Sequence, residues 1–99
     1  MTYGKATKKP VNIDWFKWEA IGKSVSDLTE WCKSFDDNVN EHFVWVHNTM
    51  VPASSILKVK TLEGHSYDVP EGYIIIRGVE GEYYPCDPII FTKTYNTTT

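Results

Sequence analysis

The sequence predicts an α+β fold: a curved, mainly antiparallel sheet or a small open barrel, with one principal helix and a short C-terminal helical turn. One segment repeats its apolar residues at the helical period. Several short segments are instead rich in β-branched and aromatic residues, and turn residues separate them. The chain has 99 residues, which is the size of one domain. We therefore expect a single domain over residues 1–99, with flexible ends at 1–9 and 96–99.

The first strand and the principal helix are predicted from two different periods. Residues 11–15 alternate apolar and polar side chains, which predicts a half-buried strand. Phe16 and Trp18 break that alternation, so we expect a bulge or the strand end there. Ser24 is a favourable N-cap for a helix, and the aspartates and asparagine at 36–38 favour its end. The apolar residues between them recur at helical spacing and predict the face that packs on the sheet, with Trp31 and Phe35 as its anchors: Val25, Leu28, Trp31, Cys32 and Phe35.

The next two strands are predicted from their residue types. β-branched and aromatic residues predict a strand over 42–47, with Phe43, Trp45 and His47 on one face. Residues 48–55 contain a proline and two serines and are expected to form a loop. Residues 57–61 alternate cleanly, which predicts a strand whose lysines face water.

Turn residues divide the C-terminal part of the chain into short strands and a helix. The turns are expected at Glu63–Gly64, Pro70–Gly72 and Gly78–Gly81. The strands that follow them cover residues 66–69, 74–76 and 82–84. The middle strand lacks alternation, as expected for a strand buried on both faces. Asp87 and Pro88 then predict an N-cap and the first residue of a short helix that continues through Phe91.

Bulk properties restrict the classes of partner. The net charge is −3 and the pI is about 5.5, which argues against non-specific binding of nucleic acid, since that needs a basic surface. No apolar run approaches the roughly 20 residues of a membrane span. Cys32 and Cys86 are the only cysteines. We expect both thiols to be reduced and the protein to be cytoplasmic.

Motifs for catalysis or metal binding are not evident. His42 and His47 are expected on opposite faces of a strand, and the two cysteines lack the Cys-x-x-Cys spacing of zinc sites. Cys86 lacks the glycine-rich turn of a nucleophile elbow, and packing under a turn explains it better. We therefore expect a protein that is not an enzyme and that needs no cofactor or metal.

Two groups of residues are candidates for binding. Aromatic side chains beside an arginine could stack on a nucleobase and pair with a phosphate, although the same rings could simply fill the core. Acidic residues in turns could dock on a basic protein surface, because charges steer such encounters. The arginine and aromatic candidates are Arg77, Tyr83, Tyr84 and Trp45, and the acidic candidates are Asp36, Asp37 and Glu80.

Part of the chain resembles a signature of small uncharacterised proteins encoded by tailed bacteriophages and prophages. The resemblance is carried by Tyr-Ile-Ile-Ile-Arg-Gly at 73–78 and Glu-Tyr-Tyr-Pro-Cys-Asp-Pro-Ile-Ile-Phe at 82–91. Lys-Lys-Pro-Val at 8–11 and Thr-Tyr at 94–95 resemble the start and the end of those proteins. The chain departs from the family pattern at three positions, where the family usually has Lys, Lys and Asp: Glu80, Asp87 and Ile89.

The resemblance implies a phage origin and leaves the activity open. Together with the lack of catalytic motifs, it favours an accessory protein that binds a host protein in the host cytoplasm and inhibits a host enzyme or a defence system. Two alternatives stay open: a protein that sequesters a small nucleotide signal, and a structural protein of the virion or its assembly. Lysines at family positions could bind an anion, and this chain lacks two of them.

Overall fold

A computed structural model describes residues 2–6, 11–19, 22–46, 50, 56–61 and 64–96. Within these ranges the chain forms six strands and three helices. In chain order they are β1 (Asp14–Lys17), α1 (Gly22–Lys33), α2 (Val39–His42), β2 (Phe43–Val46), β3 (Ile56–Lys60), β4 (Ser66–Val69), β5 (Ile74–Arg77), β6 (Tyr83–Cys86) and α3 (Pro88–Thr94). The prediction of an α+β fold is confirmed.

The strands form two antiparallel sheets of three strands each. The first sheet has the order β1-β5-β6, and the second has the order β2-β3-β4. Strand β6 contacts β3 and β4, so the second sheet packs beside the edge of the first. The antiparallel pairing is as predicted, but the described strands are divided between two sheets and do not close into a barrel.

The first sheet has a core on each of its faces. On one face Phe16 and Ile75 pack with residues of α1 and of the second sheet. On the other face Ile76 and the half-buried Trp15 pack against Phe91 of α3. Because both faces are covered, the three isoleucines of β5 are 5%, 0% and 1% exposed. This confirms the prediction of a strand buried on both sides.

Of the two outcomes predicted near Phe16 and Trp18, the bulge is wrong, whereas the strand does end between them, at Lys17. Strand β1 covers Asp14–Lys17, with Phe16 opposite Ile75, and the backbone N–H of Trp18 extends the ladder by donating to the Tyr73 carbonyl at 2.9 Å. Alternating exposure marks a strand only when one of its faces meets water. Both faces of this sheet meet protein, so apolar residues follow one another without a bulge.

The predicted N-cap role of Ser24 is also wrong. Helix α1 begins at Gly22, so Ser24 lies inside the first turn. Its hydroxyl is buried and accepts a hydrogen bond from the Glu19 backbone N–H at 3.2 Å. The side chain therefore satisfies a backbone donor before the helix instead of one within it.

Strand β2 begins one residue later than the strand predicted over 42–47. His42 ends α2, which Asn38 caps by accepting a hydrogen bond from the Asn40 backbone N–H at 3.0 Å. In β2, Phe43 and Trp45 share one face as predicted, and this face points inward. His47 lies outside the described residues, as does most of the loop predicted over 48–55.

The turns at Pro70–Gly72 and Gly78–Gly81 and the last helix follow the prediction, whereas Glu63 of the predicted Glu63–Gly64 turn lies outside the described residues. Gly72 and Gly81 have φ values of 87° and 82°, a conformation that glycine adopts without strain. Asp87 caps α3 by accepting hydrogen bonds from the backbone N–H groups of Ile89 and Ile90. Pro85 is tolerated in β6 because this strand is an edge of the first sheet. No helix in the described part of the chain is long and apolar enough to cross a membrane.

The two residues predicted to anchor the helix, Trp31 and Phe35, lie in different places. Trp31 packs on the core through the rings of Phe16 at 5.5 Å and Tyr83 at 5.7 Å, yet it stays half-buried. Phe35 lies just after the end of α1.

Cys32 and Cys86 are free thiols. Cys32 is fully buried, whereas Cys86 is half-buried on the other face of the first sheet.

Candidate functional site

The C-terminal end of α1 places an acidic side chain against the first sheet. The Asp36 backbone N–H donates to the Lys33 carbonyl at 3.0 Å, and the Asp37 N–H donates to the Cys32 carbonyl at 3.1 Å. This hydrogen-bond pair is a Schellman motif, which needs a left-handed residue at its centre. Asp36 supplies that conformation with a φ of 59°. The chain reverses there, and Asp37 reaches the β5–β6 hairpin.

Asp37 is the centre of a group of polar contacts that we call the Asp37 cluster: Asp37, Tyr83, Arg77, His42 and Phe35. The Tyr83 hydroxyl donates to Asp37 Oδ2 at 2.6 Å. Arg77 Nε lies 3.6 Å from the same oxygen, and His42 Nε2 lies 3.9 Å from Oδ1. The carboxylate thus connects side chains from α2, β5 and β6.

Arg77 joins two turns of the chain. It lies opposite Tyr83 in the β5–β6 ladder, which places both side chains on one face of the sheet. Its guanidinium carbon sits 4.3 Å from the centre of the Phe35 ring, in the turn after α1. Its Nη2 atom also lies 3.3 Å from the point where a Cβ would stand on Gly81, in the hairpin turn. A side chain at position 81 would crowd the guanidinium.

Burial keeps the Tyr83 hydroxyl of this cluster protonated. Tyr83 is 1% exposed, and the rings of Trp31, His42 and Phe43 surround it. This burial, together with the hydrogen bond to Asp37, raises the pKa of Tyr83 well above its usual value. Burial likewise raises the pKa of the neighbouring Cys32 thiol. Tyr83 is therefore a hydrogen-bond donor at neutral pH, and Cys32 lacks the thiolate character of a reactive cysteine.

The other predicted site residues lie apart from this cluster. Tyr84 pairs with Ile76 on the opposite face of the sheet, where burial and a hydrogen bond with Tyr95 raise its pKa. Trp45 packs edge to face on Trp18 at 5.4 Å. Glu80 is exposed in the β5–β6 turn. Of the predicted residues, the structure brings together Arg77, Tyr83 and Asp37, with Asp36 and Glu80 on the flanking turns.

Sequence reasoning missed two members of the cluster. His42 was expected on a strand, but it ends α2 and its ring lies 4.8 Å from that of Tyr83. Phe35 was predicted on the sheet-facing side of the helix, but its ring packs against the guanidinium of Arg77. The Asn38 side chain was the available signal for His42, because asparagine is a strong N-cap and favours a helix after it.

The ion pair of Arg77 with Asp37 affects whether Arg77 can bind the phosphate of a nucleotide. Asp37 balances the charge of Arg77, and the Nε atom of Arg77 is buried without a hydrogen bond. A phosphate would have to compete with Asp37 for this side chain. A surface cavity of about 660 Å³ lies next to the cluster, lined by Lys33, Asp36, Asp37 and Asn38 among others. Its two carboxylates outnumber its one cationic group, which favours a cationic over an anionic ligand.

Comparisons with known proteins found no relative of this chain. No family model matches the chain, and neither the curated proteins nor the solved structures contain a match to it. Among the described residues, no group of three histidine, cysteine, aspartate or glutamate side chains is placed to hold a metal ion.

Replacing Asp36 with Gly is expected to raise the free energy of unfolding by roughly 0.5–1 kcal/mol, because glycine adopts the left-handed conformation without a Cβ clash. Chemical denaturation of both proteins measures the change. Lys33→Gly, within the last helical turn, is the control and should instead lower stability by about 1 kcal/mol. A loss of stability in both variants would show that the turn does not need the left-handed residue.

Proposed function

We propose that the chain is a non-enzymatic phage accessory protein that docks on a basic surface of a host protein. The observation that carries the proposal is the position of Arg77, which holds the turn after α1 against the β5–β6 turn. Each of these turns carries an exposed acidic residue, Asp36 in one and Glu80 in the other. A fixed pair of turns presents these carboxylates without a large ordering cost on binding.

The charge balance at this surface supports an acidic docking site. Asp37 is matched by Arg77, whereas Asp36 and Glu80 make no ion pair within the described part of the chain. Their charges therefore remain available to a partner. The net charge of −3 has the same sign, so the whole molecule should steer toward a basic surface.

The phage resemblance supplies the expected setting. A small accessory protein that binds a host protein can block a host enzyme or a defence system by occupying its surface. Basic surfaces are common on proteins that handle nucleic acids, since those proteins must neutralise phosphates. A host protein of this kind is the partner that we expect.

Removal of the two exposed charges tests the proposal. The variant Asp36→Asn/Glu80→Gln should capture less of its partner from a host lysate, by roughly 2- to 20-fold at low salt. Asparagine is chosen because it tolerates the left-handed conformation of Asp36. The difference from the unmodified protein should shrink as salt is raised, since salt screens exposed charges.

A matched control lies at the other end of the first sheet. The variant Glu19→Gln/Glu71→Gln removes the same number of exposed charges. Gly72 donates its backbone N–H to the Trp18 carbonyl, which places these two glutamates near each other and away from the β5–β6 turn. Equal losses of capture in the two double variants would show that net charge alone is responsible and would refute the proposed surface.

A further inference from the structure

The β5–β6 turn contains a second acidic residue, Glu82, whose carboxylate is engaged by the turn itself. Its Oε2 atom accepts a hydrogen bond from the Glu80 backbone N–H at 3.0 Å. Hydrogen bonds to an ionised carboxylate are about twice as strong as those between neutral groups. Glu82 is half-buried, whereas Glu80 is exposed. One carboxylate therefore supports the turn, and the other faces solvent.

The lack of a side chain at position 78 gives the Glu82 carboxylate its place. A Cβ added to Gly78 would overlap this carboxylate. The Gly78 backbone N–H donates to the Glu82 carbonyl at 2.8 Å, and the Gly81 N–H donates to the Gly78 carbonyl at 3.0 Å. Backbone hydrogen bonds thus bring positions 78 and 82 together, and the glycine leaves room for the glutamate side chain.

Arg77 and Glu82 support the turn from opposite faces of the first sheet. Arg77 shares the face of Tyr83 and reaches Asp37. Successive side chains of a strand point to opposite faces, so Glu82 lies on the face of Tyr84. Arg77 therefore fixes where the turn lies relative to α1, whereas Glu82 fixes the backbone of the turn at its exposed end.

We propose that Glu82 is a positioning residue of the docking surface, which fixes the direction of the Glu80 carboxylate by holding the Glu80 backbone N–H. The inference rests on the proposed function, in which Glu80 contacts the basic partner. A turn that is ordered before binding loses less conformational entropy when the partner docks. The partner then meets the charge of Glu80, while the charge of Glu82 stays engaged in the turn.

Three variants separate a positioning role from a direct charge contact. Glu82→Ala removes the acceptor of the hydrogen bond. Glu82→Gln removes the charge but keeps a carbonyl oxygen that can accept the same bond. Gly78→Ala keeps both carboxylates and displaces the Glu82 side chain from its place. Gly78 does not have a positive φ, so alanine causes no backbone strain there.

Hydrogen exchange of the Glu80 amide, followed by NMR, measures the contact in the free protein. Exchange should become about tenfold faster in Glu82→Ala and in Gly78→Ala, the effect of losing one hydrogen bond. Glu82→Gln should keep most of the protection. Gly78→Ala should add nothing in a chain that already carries Glu82→Ala, because both changes break the same contact. Unchanged exchange in Glu82→Ala or in Gly78→Ala would overturn the inference.

Partner capture from host lysate measures the consequence for docking. Glu82→Ala and Gly78→Ala should each capture roughly 2- to 10-fold less, the cost of ordering one side chain and its turn on binding. Glu82→Gln should capture nearly as much as the unmodified protein. An equal loss in Glu82→Gln and Glu82→Ala would show that the partner contacts the Glu82 charge itself and would reject the positioning role.

The two proposals fail separately. Loss of capture in Asp36→Asn/Glu80→Gln together with full capture by Glu82→Ala would leave the docking surface standing and reject the positioning role. Full capture by Asp36→Asn/Glu80→Gln would reject the docking surface, and with it the role of Glu82 in docking, whatever the exchange rate of the Glu80 amide. Loss of capture in Asp36→Asn/Glu80→Gln, Glu82→Ala and Gly78→Ala, with capture retained in Glu82→Gln, is the result that we expect.

Discussion

Replacing Trp18 with Ala is expected to lower the free energy of unfolding by about 3–5 kcal/mol, the usual cost of emptying a buried site of this size. The ring is 1% exposed and packs edge to face on Trp45. It follows β1 at the point where α1 and both sheets meet in one core. The surrounding elements cannot all close on the cavity without breaking other contacts. Denaturant unfolding followed by circular dichroism measures the loss.

Trp31→Ala is the matched control for Trp18→Ala. Trp31 belongs to the same core and has the same side chain, but it is only half-buried. We expect a smaller loss, because less apolar surface returns to water. If Trp31→Ala costs as much as Trp18→Ala, the assignment of Trp18 as the central packing residue is wrong.

Replacing Asp37 with Ala is expected to cost roughly 2–3 kcal/mol, the range for a hydrogen bond to a charged group whose partner stays buried. The change leaves the Tyr83 hydroxyl without its acceptor and Arg77 without its counter-charge. It also releases the turn after α1 from the hairpin. The midpoint and slope of denaturant unfolding report this loss.

A double-mutant cycle separates this bond from other effects of Asp37. Tyr83→Phe removes the hydroxyl and keeps the ring that packs in the core. The two changes together should cost less than the sum of the single changes, by about 1 kcal/mol or more. Additive losses would show that the 2.6 Å contact contributes little to stability.

Arg77→Ala should also lower the free energy of unfolding, because Arg77 holds the turn after α1 and the β5–β6 turn together.

Local signals in the sequence were enough for most strands and turns. Glycines at 72 and 81 fixed the turns before and after β5, and alternation placed Leu57 and Val59 inward. The division into two sheets was not predictable, since it depends on pairing between distant segments, such as β1 with β5. The bulge that was wrongly predicted near Phe16 has the same origin, because residues distant in sequence cover both faces of β1.

The candidate site was partly predictable. Arg77 and Tyr83 flank a short turn, so a hairpin places them opposite each other. Tyr84 could not share their face, because successive side chains of a strand point to opposite sides. The contact of Asp37 with both residues could not be foreseen. It depends on the left-handed conformation of Asp36, which is uncommon outside glycine.

We expect the Asp37 cluster to stabilise the fold and the exposed acids to bind the partner. Asp37, Arg77 and Tyr83 satisfy one another and hold the turns, whereas Asp36 and Glu80 face solvent. Changes in the first group should therefore reduce stability first. Changes in the second group should reduce partner capture while the fold is kept.

Photo-crosslinking from position 79 tests the proposed docking surface most directly. A photoreactive residue is placed at Val79, beside Glu80, in one protein and at Glu71 in another, and each is irradiated in host lysate. Val79 is exposed, and its replacement keeps both Asp36 and Glu80. The two positions lie in turns at opposite ends of β5. We predict a crosslinked host protein from position 79, weakened by added salt, and none from position 71. No crosslink from position 79, or one of equal strength from position 71, would contradict the proposed docking surface.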